Sequence, residues 1–242
     1  KFRMVSEVLR SRAPNVAMVW CPYFQPVRPI MSYYPGDGWV DWVGVNMYNV
    51  TYFNQDPKQP ARNVRPGEML DYVYKAFAKR KPIMIGEYAT THFSALENRP
   101  VPGFAIRNIR ELYAQLQTKY PRVKAINYFN SNNLVLDHRR NNNYAVTHEP
   151  SVLAAYRKAV KPSYFLGKAP SRSSVLAKSG PLDVRGKVVI TATAQAPQVA
   201  WKSNSVPSLS NSTARMPGGS EVCIVTSSAY RRRRAAPHGP AS

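Results

Sequence analysis

Glu87 is the side chain whose type and setting point most directly to chemistry. It follows Ile83-Met84-Ile85-Gly86, an apolar run of strand length. A carboxylate held there is costly to desolvate unless it has partners. In a cleft, such a group works as a nucleophile or a proton carrier. Buried without a cleft, it reads as half of an ion pair with a Lys or Arg. His92 lies five residues on, in the segment that follows. Aromatic side chains gather near the ends of other apolar runs: Trp20, Tyr23 and Phe24, then Tyr48, Tyr52 and Phe53, then Tyr128. Rings with one polar edge suit the faces of a ring-shaped ligand, and they suit packing under loops as well. His138 and His148 lack partners at metal-ligand spacing, so neither a metal nor another cofactor is expected.

The elements that must position these residues are legible from periodicity. Phe2, Val5, Val8 and Leu9 recur at helical spacing over 2–11. Residues 16–21 read as a buried strand, as do 42–46, 83–86 and 123–129. Helices are expected over 67–79, 104–119 and 151–160, with Pro82 and Pro121 closing the first two. Helix and strand therefore alternate, which implies a parallel sheet with helical crossovers. The long polar segments 22–38, 49–65, 89–103 and 130–149 all follow strands. That asymmetry favours a barrel, whose site is built from such loops. An open doubly wound sheet also puts ligands there, but no Gly-rich phosphate fingerprint accompanies it.

Three segments carry a resemblance: YYPGDGWVDWVGVNMYNV (33–50), KPIMIGEYATT (81–91) and PRVKAINYFN (121–130). In order and spacing they resemble glycoside hydrolase family 26, over about residues 1–160. The resemblance implies a (β/α)8 TIM-barrel glycosidase, present as strands 5–8 only. It implies a retaining, endo-β-mannanase-like hydrolase acting on a β-linked polysaccharide. Such enzymes pair a nucleophilic carboxylate with a second carboxyl about 5–5.5 Å away as acid/base. By this resemblance Glu87 is the nucleophile and Tyr48 orients it. Trp20, Tyr23, Asn46, His92, Tyr128 and Asn130 are the expected substrate-binding residues. The acid/base would belong to strand 4, upstream of Lys1. Asn46-Met47-Tyr48 stands where many members read Asp-Gly-Tyr, and Tyr128 where Trp is common. The alternative function is a non-catalytic carbohydrate-binding or surface-associated barrel.

The 242 residues divide, on this reading, into a half-barrel at 1–165, a Pro/Ser/Lys-rich linker at 166–184, and a final segment at 185–242. The last is expected to be a partial β-sandwich-like module or a disordered basic tail. The chain opens at Lys1 without a Met or a signal peptide, so it reads as a piece of something longer whose partner is the missing N-terminal half of the barrel. An extracellular or cell-surface location is expected. Net charge is +21, with +9 of it in residues 168–242 and the rest spread over the preceding ones. Dispersed charge reads as a solvated basic surface, and nucleic acid is not expected as a partner. No apolar run approaches the length of a membrane span. Asn49-Val50-Thr51 matches a glycosylation sequon.

Overall fold

The computed structural model describes residues 1–13, 16–25, 30–136 and 142–166, and the backbone of strands at 188–194, 211–215 and 221–225. In chain order the elements are α1 (Phe2–Arg12), β1 (Ala17–Trp20), β2 (Trp42–Asn49), α2 (Pro66–Phe77) and β3 (Ile83–Thr90). A small hairpin of β4 (Phe93–Ser94) and β5 (Arg99–Pro100) follows, then α3 (Pro102–Thr118) and β6 (Val123–Asn130). After these come a single turn α4 (Asn133–Leu136), α5 (Pro150–Val160), β7 (Phe165–Leu166), β8 (Val188–Ala194), β9 (Asn211–Arg215) and β10 (Glu221–Val225).

The three long crossover helices start the same way. Pro66, Pro102 and Pro150 occupy their first turns, where a missing N–H costs nothing and φ is already helical. Glu68 reaches back to the Arg65 N–H at the start of α2, and Glu149 accepts from the Ser151 N–H at the start of α5. The result is a mixed α/β structure around four parallel strands in the order β1-β2-β3-β6. Each new strand in the chain is added on the same side of its predecessor. The backbone strands β8 and β10 flank this unit, parallel to β6 and β1 respectively, with β7 beside β8 and β9 antiparallel to β10. Residues 167–184 of the expected 166–184 linker and the run Arg231–Arg234 lie outside the described residues, as does His138, while Leu166 ends β7.

One face of the sheet meets the helices. Val43, Val45, Met47, Ile83, Ile85, Tyr88, Val123, Ile126 and Tyr128 pack there against Leu70, Val73, Phe77, Ile109, Leu112 and Leu116. The opposite face holds a small separate cluster of Val19, Cys21, Met84 and Ala125, with Trp42 at its edge. Strands β2 and β3 run three to four residues beyond the expected 46 and 86, because the ladder between them continues from Asn46↔Glu87 to Asn49↔Thr90. Helix α1 also differs from expectation. Val5 and Val8 are exposed, while Ser6 is buried with its hydroxyl on the Trp39 carbonyl at 3.2 Å. Polar ties to the 35–41 turn, including Arg3 to the Pro35 carbonyl and Arg10 to Asp41, set its orientation instead of its apolar stripe.

Candidate active site

Strict alternation along β3 would put Glu87 on the helix side, because Met84 and Gly86 face the other way and Ile85 faces the helices. The register prevents this. Val45 pairs with Ile85 but Asn46 pairs with Glu87, and on the far side Ile126 pairs with Ile85 while Tyr128 pairs with Tyr88. Both neighbours thus leave β3 with one extra residue at Gly86–Glu87, a β-bulge. A bulge re-aims the side chain that follows it. Glu87 consequently shares a face with Asn46 and Tyr48, at the ends of the strands from which the long loops depart.

There Glu87 is half-buried, and the Tyr48 hydroxyl donates to its Oε2. A hydrogen bond to a charged acceptor is worth about 1.5–3 kcal/mol, enough to offset part of the desolvation. No cation pairs with Glu87 among the described residues; the ion pairs formed there use other carboxylates. The ion-pair reading of this carboxylate therefore has no partner behind it. Tyr48 is held in the protonated, donating form: burial first, and then the Glu87 charge, push its pKa well above the usual tyrosine range. The same two causes push Tyr23 up to about 12. Tyr23 is 41% exposed, and its ring centroid lies 6.3 Å from that of Tyr48.

The floor around Tyr48 is aromatic. Tyr144 and Phe129 sit 5.3 and 5.8 Å from its ring and 6.0 Å from each other. Neither was singled out by spacing; Tyr144 in particular comes from the long loop after β6, where periodicity carries no signal. Asn46 accepts from the Cys21 thiol through Oδ1 at 3.0 Å. Asn130, at the end of β6, has a buried Oδ1 without a hydrogen-bond partner.

The fold thus assembles Glu87, Tyr48, Asn46 and Tyr23. Trp20 and Tyr128 stand elsewhere. Trp20 is 3% exposed and packs edge-on against Tyr34 and Phe77, within the helix-side core. Tyr128 is buried on that same side against Tyr88 and Tyr156. Pleating explains both: each sits next to a residue of the other face, Cys21 and Phe129. His92 is also buried. Its Nε2 meets the Ala145 carbonyl at 3.1 Å and its backbone N–H donates to Asn143, so it pins the loop after β3 to the loop after β6. Burial holds its pKa below the ordinary value, favouring neutral imidazole.

Three other carboxylates, Asp41, Glu97 and Asp56, have engagements of their own. Asp41 accepts from the Met18 N–H at 2.7 Å at the opposite ends of the strands. Glu97 is held by Tyr52, Arg62 and Arg99. Asp56 closes its own turn through Lys58 and Gln59. Among the described residues no group of three His, Cys, Asp or Glu could hold a metal ion, and no helix is long and apolar enough to cross a membrane. Asn49 of the sequon is fully buried, donating to the Val64 carbonyl and accepting from Tyr88, so the folded chain does not present it for glycosylation.

A half-buried, hydrogen-bonded carboxylate beside aromatic rings at the loop end of a parallel sheet agrees with the kinship found by sequence comparison. The chain is similar to endoglucanase H of Acetivibrio thermocellus, with 26% identity over 164 residues. The match covers 66% of this chain and 16% of that protein. No protein-family model matches the chain. The likeness is to a glycoside hydrolase.

Proposed function

We propose that this chain is the C-terminal half of a retaining (β/α)8-barrel glycoside hydrolase that cleaves a β-linked polysaccharide. The observation that carries the reading is the bulge at Gly86–Glu87, which brings an unpaired carboxylate to the loop end of the sheet under the Tyr48 hydroxyl. The sequential strand order, with helices on one face, is what half of a barrel requires. Glu87 attacks the anomeric carbon through Oε1, which has no hydrogen bond among the described residues, while Tyr48 holds Oε2. The leaving oxygen is protonated by a carboxyl from the half of the barrel outside this chain. Asn46 and Tyr23 contact the sugar. The family 26-like motifs favour mannan, and the name of the endoglucanase relative brings β-glucan in as the competing substrate. Residues 1–165 form the barrel half, and 185–242 a further module or tail, two of whose strands pair with β6 and β1. The protein acts outside the cell or at its surface.

The test is covalent trapping. A 2-deoxy-2-fluoro-β-mannoside and the matching glucoside, each with a good leaving group, should label the chain at Glu87, located by peptide mass spectrometry. These reagents carry their own leaving group, so the missing acid is not needed. Glu87→Gln should take no label. Label on another residue, or none with either sugar while both are bound, would eliminate the nucleophile and favour the binding-only reading.

A further inference from the structure

Cys21 is buried, 2% exposed, and lies at the end of β1, yet its sulfur reaches across β2 to β3. It does so through a notch made by two glycines. A Cβ at Gly44 would stand 2.6 Å from Sγ and 2.8 Å from the Cys21 Cβ, and a Cβ at Gly86 would stand 2.6 Å from Sγ. No side chain fits at either position while the thiol is there. The thiol lies 3.0 Å from Asn46 Oδ1, and because a carboxamide oxygen only accepts, the S–H donates to it. Asn46 Oδ1 is also packed over Gly86, where a Cβ would be only 2.7 Å away. Burial, reinforced by the Glu87 charge, keeps the thiol protonated.

We infer that Cys21 is a positioning residue that sets the amide of Asn46. The hydrogen bond from the Cys21 S–H to Asn46 Oδ1 turns the carbonyl side of that amide inward. The NH2 is left facing away from the thiol, on the face shared with Glu87, its partner across the β2–β3 ladder. The site then offers a hydrogen-bond donor beside the carboxylate, suited to a hydroxyl or ether oxygen of a sugar. An amide flipped the other way would offer an acceptor and stand like a second anion next to Glu87. The sugar-facing half of this inference rests on the hydrolase reading; the thiol–amide link does not.

The S–H stretching band, which falls in an infrared window clear of other protein bands, reads the link directly in the full chain. Cys21→Ser assigns the band, since Cys223 keeps its own. Asn46→Ala should shift the Cys21 band towards that of a free thiol. A band that stays put in Asn46→Ala overturns the inference. Sugar binding reads the consequence, with mannopentaose and cellopentaose titrated calorimetrically. Asn46→Ala and Cys21→Ala should each weaken binding about tenfold, and Cys21→Ser, which keeps a donor, should recover most of it. Equal losses in the Ser and Ala variants would reduce Cys21 to packing and also overturn the inference. If the wild-type chain binds neither sugar, the hydrolase reading is what fails, and the infrared shift still decides the thiol–amide link.

Discussion

Tyr48 is the residue on which the candidate chemistry is most exposed to test. Its ring is wedged by Tyr144, Phe129 and Tyr23, so Tyr48→Phe should keep the ring in place and remove only the donor to Glu87. Loss of one hydrogen bond to a charged acceptor predicts a fall of about 10–100-fold in the rate of labelling by the fluorosugar, with melting temperature nearly unchanged. A fall matched by a large loss of stability would instead make Tyr48 a core residue. His92 belongs to the same scale but to another role. Its folded-state pKa lies below the ordinary 6.5, so between that value and the depressed one the unfolded chain binds more protons than the folded chain. Stability is therefore intact above about pH 6.5 and declines as pH falls below it. Thermal melts from neutral to mildly acidic pH should show this slope in the wild type and a shallower one in His92→Gln. Equal slopes would mean that the Ala145 contact does not hold a neutral ring.

Among the elements, β3 decides the site, and Gly86 decides β3. The residue is both the extra member of the strand and the floor on which Cys21 Sγ and Asn46 Oδ1 rest. Gly86→Ala should cost about 1–3 kcal/mol in denaturant unfolding, the usual range for overpacking. The cost should shrink in the Cys21→Ala background, where the nearest clash is gone; strict additivity of the two changes would contradict the notch geometry. The helices behave differently. Their apolar stripes and the closing prolines Pro82 and Pro121 were readable directly, and α2, α3 and α5 begin and end within two residues of expectation. Local spacing suffices for a helix because one face and one cap define it. The strands' existence was equally readable, but not which way each side chain points. Trp20 and Tyr128 were expected beside the substrate from the family resemblance, and pleating sends both to the helix side. Cys21 reads in sequence as a small buried hydrophobe; the matching glycines in Val43-Gly44-Val45-Asn46 and Ile85-Gly86-Glu87 were the available signal that something lies across both strands.

For the whole molecule the governing quantity is charge. A net +21 over 242 residues repels itself, which opposes the compact state. Moving from low to physiological salt should therefore raise the melting temperature, because screening relieves more repulsion than it costs in the exposed ion pairs. A fall would show that networks such as Arg62–Glu97–Arg99 outweigh the excess. The order of helices and strands, the parallel sheet they imply, the basic surface and the prominence of Glu87 were all determined by composition and periodicity, since each depends on residues near one another in the chain. Three things were left to the tertiary structure: the inversion of β3 that turns Glu87 towards Tyr48, the arrival of Tyr144 from a loop without pattern, and the reach of Cys21 over two strands to Asn46. Each depends on register between segments dozens of residues apart. A one-residue slip in register exchanges the two faces of a strand, and no local spacing records it.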